Sequence, residues 1–127
     1  AGEAVLVPAY SEFAANFVGD TSYPEQVRRL SSALEPHRQM VCHLIDSPVH
    51  ARLNQTLSNL LFSPIRDGLK EMLEAQGKHV SGQLLDDTAM FMISGTQYLF
   101  ISAYRDRLGA EVTAERIEQV RRLLAGT

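Results

Sequence analysis

The residues of this chain with the most chemical reactivity are four histidines and one cysteine. His43 and His50 lie seven positions apart, but Pro48 stands between them, so the spacing does not ensure a shared helical face. The sequence contains no H-E-x-x-H motif, no cysteine pair and no Glu-x-x-His cluster, which are arrangements typical of metal sites. Cys42 has no clear activating neighbour, which favours packing over a redox or nucleophilic role. The sequence therefore predicts no bound metal and no cofactor.

Patterns of catalytic residues are equally sparse. Asp86 and Asp87 are adjacent, so on a helix their side chains diverge by about 100° and do not form a facing carboxylate pair. Their position favours a helix N-terminus, where the helix dipole stabilises negative charge. No glycine-rich phosphate loop and no G-x-S-x-G motif is present. We therefore expect no catalytic residues, and an enzyme ranks third among the classes of function considered.

Four methionines indicate a different kind of site. Met40, Met72, Met90 and Met92 all fall on apolar arcs, and they belong to different predicted helices. Methionine fills irregular gaps and adapts to different shapes, which suits a pocket for a variable apolar ligand. Simple filling of the core explains the four residues equally well, so the pattern leaves both interpretations open.

The longest apolar segment, Thr88–Leu108, must position most of these side chains. On a helix its apolar residues cover roughly 200°, against the ~100° that one buried stripe requires. We therefore expect this helix to pack on its own domain and on a second surface, such as a partner chain. Thr96 and Gln97 interrupt the apolar arc, and a buried polar side chain needs a hydrogen-bond partner on another helix or on a ligand. These polar residues and the charged ends argue against a membrane span.

The remaining apolar residues also follow helical spacing, and no segment alternates as a strand would. Serine followed by proline at Ser47 and Ser63 predicts two helix starts, and Pro36 predicts a break. The expected fold is one all-α domain of about seven helices over residues 1–127. The predicted starts lie near Pro8, Ser22, His37, Ser47, Ser63, Leu84 or Leu85, and Thr113, with ends at Gly19, Asp46, Gly77 and Gly109.

Composition narrows the setting of the protein. Twelve basic and fifteen acidic residues leave a net charge of −3, which gives no basic footprint for binding nucleic acid. A single cysteine and the absence of a signal peptide lead us to expect a cytoplasmic protein without a membrane anchor. The sequence begins with Ala1 rather than methionine, so we expect that further sequence precedes it.

The C-terminal forty residues resemble the end of TetR-family transcriptional regulators. A long apolar helix closed by Arg105–Gly109 (RDRLG) is followed by a second helix with the sequence TAERIEQVRRLL. The resemblance implies an effector-binding and dimerisation domain whose DNA-reading helix–turn–helix is absent from this chain. In that family the last two helices pair with their copies in a four-helix bundle, here Thr88–Leu108 and Ala114–Ala125. DNA would be reached only through the missing part.

Carried onto this chain, the resemblance implies ligand-binding helices at about residues 4–108 and dimerisation helices at about 85–125. The expected function is repression controlled by a small, mostly apolar effector. A ligand-free helical dimerisation or adaptor module is the alternative, favoured if no cavity exceeds ~300 Å³. The expected cavity residues are Met40, His43, Leu57, Leu61, Met72, Met90, Ile93, Gln97, Phe100 and Tyr104. The expected homodimer interface comprises Phe91, Ser94, Gly95, Tyr98, Ser102, Ile117, Val120 and Leu124.

Overall fold

The computed structural model describes residues 2–17 and 23–125. In these ranges the chain forms α-helices and one short 3-10 turn, and no strand is present. The helices are α1 (Gly2–Ala15), α2 (Tyr23–Leu34), α3 (Arg38–Ile45), α4 (His50–Ala75), α5 (Gly82–Arg105) and α6 (Ala110–Ala125), and the 3-10 turn Glu35–His37 joins α2 to α3. The predicted all-α class is confirmed, whereas the predicted count of about seven helices is wrong. The predicted start at Ser22 and end at Gly19 lie outside the described residues.

The count differs because α4 continues through Pro64, where the sequence predicted a new helix. Proline inside a helix removes one backbone hydrogen bond and costs about 3 kcal/mol. The buried stripe of α4 runs on both sides of this proline, through Leu57, Leu61, Ile65 and Leu69. Burying a leucine side chain contributes about 1.5–3 kcal/mol, so the continuous stripe outweighs the lost bond.

Other predicted helix starts are also shifted. Pro8 lies inside α1 rather than in its first turn, because Leu6 extends the buried stripe of that helix toward the N-terminus. Ser47 is not an N-cap: its Oγ donates a hydrogen bond to the carbonyl of Leu44, and Val49 precedes α4. Thr113 lies within α6, where its Oγ1 donates to the carbonyl of Gly109 at 2.8 Å.

Two helices end in the same capping geometry. After α4, Gly77 adopts φ 73°, and the amide of Lys78 donates back to the carbonyl of Leu73 at 2.8 Å. After α5, Arg107 adopts φ 59°, and the amide of Leu108 donates to the carbonyl of Ala103 at 3.0 Å. Both are Schellman caps, in which a left-handed residue allows the chain to satisfy the terminal carbonyls. The predicted end of the central helix at Gly109 is therefore four residues too late.

The central helix also begins earlier than predicted. Ser81 is the N-cap of α5, and its hydroxyl accepts a hydrogen bond from the amide of Leu84 at 3.1 Å. Residues Leu84 and Leu85, predicted as the start, already lie in the first turn. A serine that satisfies an otherwise unpaired amide fixes the beginning of a helix better than its first apolar residue does.

Helices α4 and α5 form an antiparallel hairpin at the centre of the fold. Arg66 pairs with Asp86 near their connection, and Asn54 bonds to Gln97 farther away, so the residue numbers run in opposite directions. Helix α1 packs on α4 and α2, α2 packs on α6, and the short α3 covers part of α5. Among the residues described, no helix combines the length and the apolar character needed to cross a membrane.

Candidate functional site

A buried polar cluster lies where α1, α4 and α5 meet. Gln97 of α5 is 6% exposed, and its Oε1 accepts a hydrogen bond from the hydroxyl of Tyr10 at 2.6 Å. The Nε2 of the same side chain donates to Oδ1 of Asn54 at 3.1 Å. The sequence required a partner for Gln97, and the structure provides partners on two other helices.

The cluster is electrically neutral. Burial raises the pKa of Tyr10 above its ordinary value, and the hydrogen bond to Gln97 offsets only part of this effect. The phenol therefore keeps its proton and donates a hydrogen bond over the whole physiological pH range, and no charge lies within the three-residue chain of hydrogen bonds. Such a cluster orders three helices in one register, because each buried polar atom is satisfied only in that arrangement.

The same cluster borders an apolar cavity of about 40 Å³. Sites for drug-sized molecules usually enclose about 300–1,000 Å³, so the interior is closed to such a ligand in this conformation. The cavity is lined by Leu6, Tyr10, Leu34, Val41, Leu44, Ile45, His50, Leu53, Asn54, Leu57, Gln97, Phe100 and Ile101. Most of its surface is apolar, and Tyr10, His50, Asn54 and Gln97 supply the polar groups.

The ten predicted cavity residues divide into three groups. Leu57, Gln97 and Phe100 line this cavity, whereas Leu61 and Ile93 border a neighbouring gap of about 10 Å³. Tyr104 is buried one turn beyond Phe100. Met40 and Met72 are half-buried against the core, and His43 and Met90 are exposed. The methionines therefore do not gather around one space. Tyr10, Asn54 and His50 were not predicted as cavity residues. Tyr10 could have been, because it carries a hydroxyl on the apolar stripe of α1.

A second cluster joins the start of α3 to the end of α5. The Arg38 guanidinium stacks over the Tyr104 ring, 4.7 Å from its centroid, and its Nη2 donates to the carbonyl of Leu108. Its Nε and Nη2 also donate to the Glu35 carboxylate at 3.2 and 2.9 Å. Nearby, the Cys42 Sγ lies 3.7 Å from the carbonyl of Tyr104. Arg38 was not predicted as a site residue, because Tyr104 and Leu108 lie far from it in the chain, although Glu35 is only three residues away.

Two polar atoms of this cluster are unsatisfied. The Tyr104 hydroxyl and Nη1 of Arg38 are both buried and have no hydrogen-bond partner among residues 2–17 and 23–125. Burial raises the pKa of Tyr104, and the neighbouring Arg38 charge lowers it by a smaller amount. The phenol is thus a neutral donor without an acceptor, beside a cation with one donor nitrogen unused.

The outer face of α5 and α6 carries exposed apolar side chains. Phe91 and Tyr98, two turns apart on α5, are 74% and 71% exposed, and Leu124 of α6 is 57% exposed. A groove of about 270 Å³ runs between the two helices, with Ile117 at 3% exposure in its floor. We call this surface the α5–α6 face. It consists of Phe91, Met92, Ser94, Gly95, Tyr98, Leu99, Ser102, Val120, Leu123 and Leu124.

Seven of the eight predicted interface residues lie on the α5–α6 face, and the exception is Ile117. The structure places Ile117 in the core of its own chain, because α6 turns this side chain toward the other helices. Near the face, the Glu118 carboxylate accepts hydrogen bonds from Arg121 at 2.6 Å and Arg122 at 3.0 Å. The hydrogen bond from Arg121 is the main reason why the pKa of Glu118 falls below its ordinary value.

Within the described ranges, no group of three or more histidine, cysteine, aspartate or glutamate side chains is placed to hold a metal ion. Comparisons with protein-family models, curated proteins and solved structures give no significant match. The features of this chain that bear on its function are therefore the two interior clusters and the α5–α6 face.

Proposed function

We propose that this chain is the dimerisation and effector-sensing domain of a TetR-like transcriptional repressor. The observation that carries the proposal is the α5–α6 face, where exposed aromatic and aliphatic side chains from two adjacent helices form one surface. Large contiguous apolar surfaces of this kind mark interaction sites in proteins. The resemblance of these two helices to the TetR-family C-terminus supports a second copy of the chain as the partner.

A two-fold arrangement suits the side chains of this face. Ser94, Gly95 and Ser102 lie on the same side of α5 as Phe91 and Tyr98, so small residues alternate with aromatic ones. Small residues allow close approach of two backbones, and the aromatic rings fill the spaces beside them. In a two-fold interface both copies use the same surface, so a contact from one residue to another is repeated in the opposite direction. One stripe that is complementary to itself can therefore form the whole interface.

The effector would enter the apolar interior beside the Tyr10–Gln97–Asn54 cluster. Apolar pockets with a few fixed polar groups are typical of small-molecule sites. Because the cavity holds only about 40 Å³, a larger effector must select a conformation in which the surrounding helices are farther apart. The effector would change DNA binding only if it bound the two conformations with different affinity.

The small cavity also favours a second candidate, a dimerisation or adaptor module that binds no ligand. Both candidates require the same dimer and differ only in the interior. A thermal-shift screen with apolar and amphipathic compounds separates them, because a ligand that binds only the folded state raises the melting temperature. Stabilisation by members of one chemical class supports effector sensing, and no shift across the screen supports the adaptor.

The dimer itself is tested by Phe91→Asp. Burial of one phenylalanine contributes about 1.5–3 kcal/mol, and both copies lose it, so the dissociation constant of the dimer should rise by about two to four orders of magnitude. Sedimentation equilibrium should show a wild-type dimer and a folded Phe91→Asp monomer at the same micromolar concentration.

Val49→Asp provides a matched control, because Val49 is also an exposed aliphatic residue but lies before α4, away from the α5–α6 face. This variant should remain a dimer. A folded wild-type monomer at tens of micromolar would overturn the proposed dimer, and so would equal dissociation of both variants.

A further inference from the structure

Two buried hydrogen-bond donors, the Tyr104 hydroxyl and Nη1 of Arg38, lie close to the end of α5. The Tyr104 hydroxyl is part of a side chain that is 2% exposed, and Nη1 of Arg38 is equally shielded. Neither has a partner in the part of the chain that the structure describes. Buried polar atoms are almost always satisfied, so a pair of unsatisfied donors in one contact requires a specific explanation.

The geometry leaves this pair free for an added acceptor. Arg38 directs Nε and Nη2 toward Glu35 and the carbonyl of Leu108, which leaves Nη1 as its unused nitrogen. The guanidinium carbon is 4.7 Å from the centroid of the Tyr104 ring, so the phenol and the cation belong to the same contact. A cationic nitrogen and a neutral hydroxyl that both donate match the acceptor oxygens of a carboxylate.

The ring of Phe100 stands between these donors and the apolar cavity, which neither Arg38 nor Tyr104 lines. The rings of Tyr104 and Phe100 are 5.1 Å apart, and Phe100 lines the 40 Å³ cavity. Val41 and Leu44, on the same short helix as Arg38, line it as well. If the cavity extended past Phe100 to Tyr104, a molecule with a negatively charged head and an aliphatic body would meet both the donors and the apolar walls.

We propose that Arg38 and Tyr104 anchor the carboxylate of a small aliphatic acid whose body occupies an enlarged form of this cavity. The proposal rests on the effector-sensing function proposed above and names the chemical class of the effector. The acid makes one charge-assisted hydrogen bond from Arg38 and one hydrogen bond from Tyr104. Glu35 remains paired with Arg38, because it uses different nitrogens of the guanidinium.

Calorimetric titration with sodium hexanoate and 1-hexanol tests the anchor, because these probes share their alkyl chain and differ in the head group. Hexanoate should bind the wild-type chain at least about tenfold more tightly than hexanol. Tyr104→Phe and Arg38→Met should each remove about a tenfold share of that preference and leave the affinity for hexanol unchanged. Ser32→Ala is the control, since it removes an exposed hydroxyl on α2, away from both interior clusters and from the α5–α6 face.

The ligand-free Tyr104→Phe variant gives a second readout. Loss of a buried hydroxyl that has no partner should keep or raise the melting temperature, whereas loss of a hydroxyl with a structural hydrogen bond would lower it. The anchor is overturned if hexanoate and hexanol bind the wild type equally, or if the preference in Tyr104→Phe is as large as in the wild type. If only the carboxylate anchor fails, the chain can still sense an effector of another chemical class. If the broader thermal-shift screen also finds no ligand, effector sensing fails as well, and sedimentation still decides the dimer separately.

Discussion

The Tyr10–Gln97 hydrogen bond offers a direct measure of how strongly the interior fixes its helices. Tyr10→Phe removes the donor and leaves the buried Oε1 of Gln97 without it, and Gln97→Leu leaves the Tyr10 hydroxyl without its acceptor. An unsatisfied buried polar group costs about 1–3 kcal/mol. Each single variant should therefore lose about 1–3 kcal/mol of stability from this pair, which corresponds to a melting temperature lower by about 4–11 °C in a chain of this size.

The double variant should recover most of the loss. When both partners become apolar groups of similar shape, neither position 10 nor position 97 leaves a desolvated polar atom behind, so the cost that belongs to this pair disappears. Asn54 loses the Gln97 amide in both the Gln97→Leu variant and the double variant, so its contribution cancels in the cycle. The coupling free energy between the two positions should thus be about 1–3 kcal/mol.

Urea unfolding followed by circular dichroism measures the four free energies of unfolding. All variants must be compared at one protein concentration, because dissociation of a dimer makes apparent stability depend on concentration. Lys70→Gln, which alters an exposed side chain on α4 and keeps a similar helix propensity, should change stability by less than about 0.5 kcal/mol. A double variant whose loss equals the sum of the single losses would refute the reasoning, since it would show that the two side chains do not depend on each other.

Two further predictions concern single positions. The pKa of Glu118 is depressed mainly by the hydrogen bond from Arg121, so its contribution to stability is present above the ordinary pKa of 4.5 and disappears as the pH falls through the depressed value. Acid titration followed by circular dichroism should therefore show that Glu118→Gln loses less stability than the wild type between neutral pH and about pH 3. Equal losses would contradict the stabilising role of the Glu118 carboxylate. At the two Schellman caps, Gly77→Ala should destabilise the fold by about 1 kcal/mol and Arg107→Gly should stabilise it by up to a similar amount. Thermal unfolding that shifts both variants in the same direction would contradict the left-handed assignments.

Sequence reasoning succeeded where one local signal decided the outcome. The end of α4 at Gly77 follows from the ability of glycine to adopt a left-handed conformation. The end of α5 did not follow, because Arg107 takes the same conformation without being glycine, and the terminal hydrogen bonds of the helix stabilise it there. Helix α4 likewise continues through Pro64, because the buried stripe on both sides of the proline outweighs its tendency to break a helix.

The candidate site was predictable only in part, for a related reason. Gln97 attracted notice because a polar side chain on an apolar arc needs a partner, and that inference used the sequence of one helix. Its partners Tyr10 and Asn54 depend on how α1 and α4 are aligned along α5, which is a property of tertiary packing. The size of the cavity was also beyond prediction, because the same apolar residues line a pocket or fill a core according to the separation of their helices.

The helix that can open this interior most readily is α3. It has only eight residues, and the 3-10 turn on one side and Asp46 on the other interrupt its helical connections. Helix α4, with 26 residues, buries a stripe several times longer. Displacement of α3 would uncover the cavity walls formed by Val41 and Ile45 at the smallest loss of buried apolar surface, and Arg38 would be the polar tether to release. Amide hydrogen exchange should therefore be faster in Arg38–Ile45 than in the middle of α4 or α5, and equal protection in all three would show that the interior opens elsewhere.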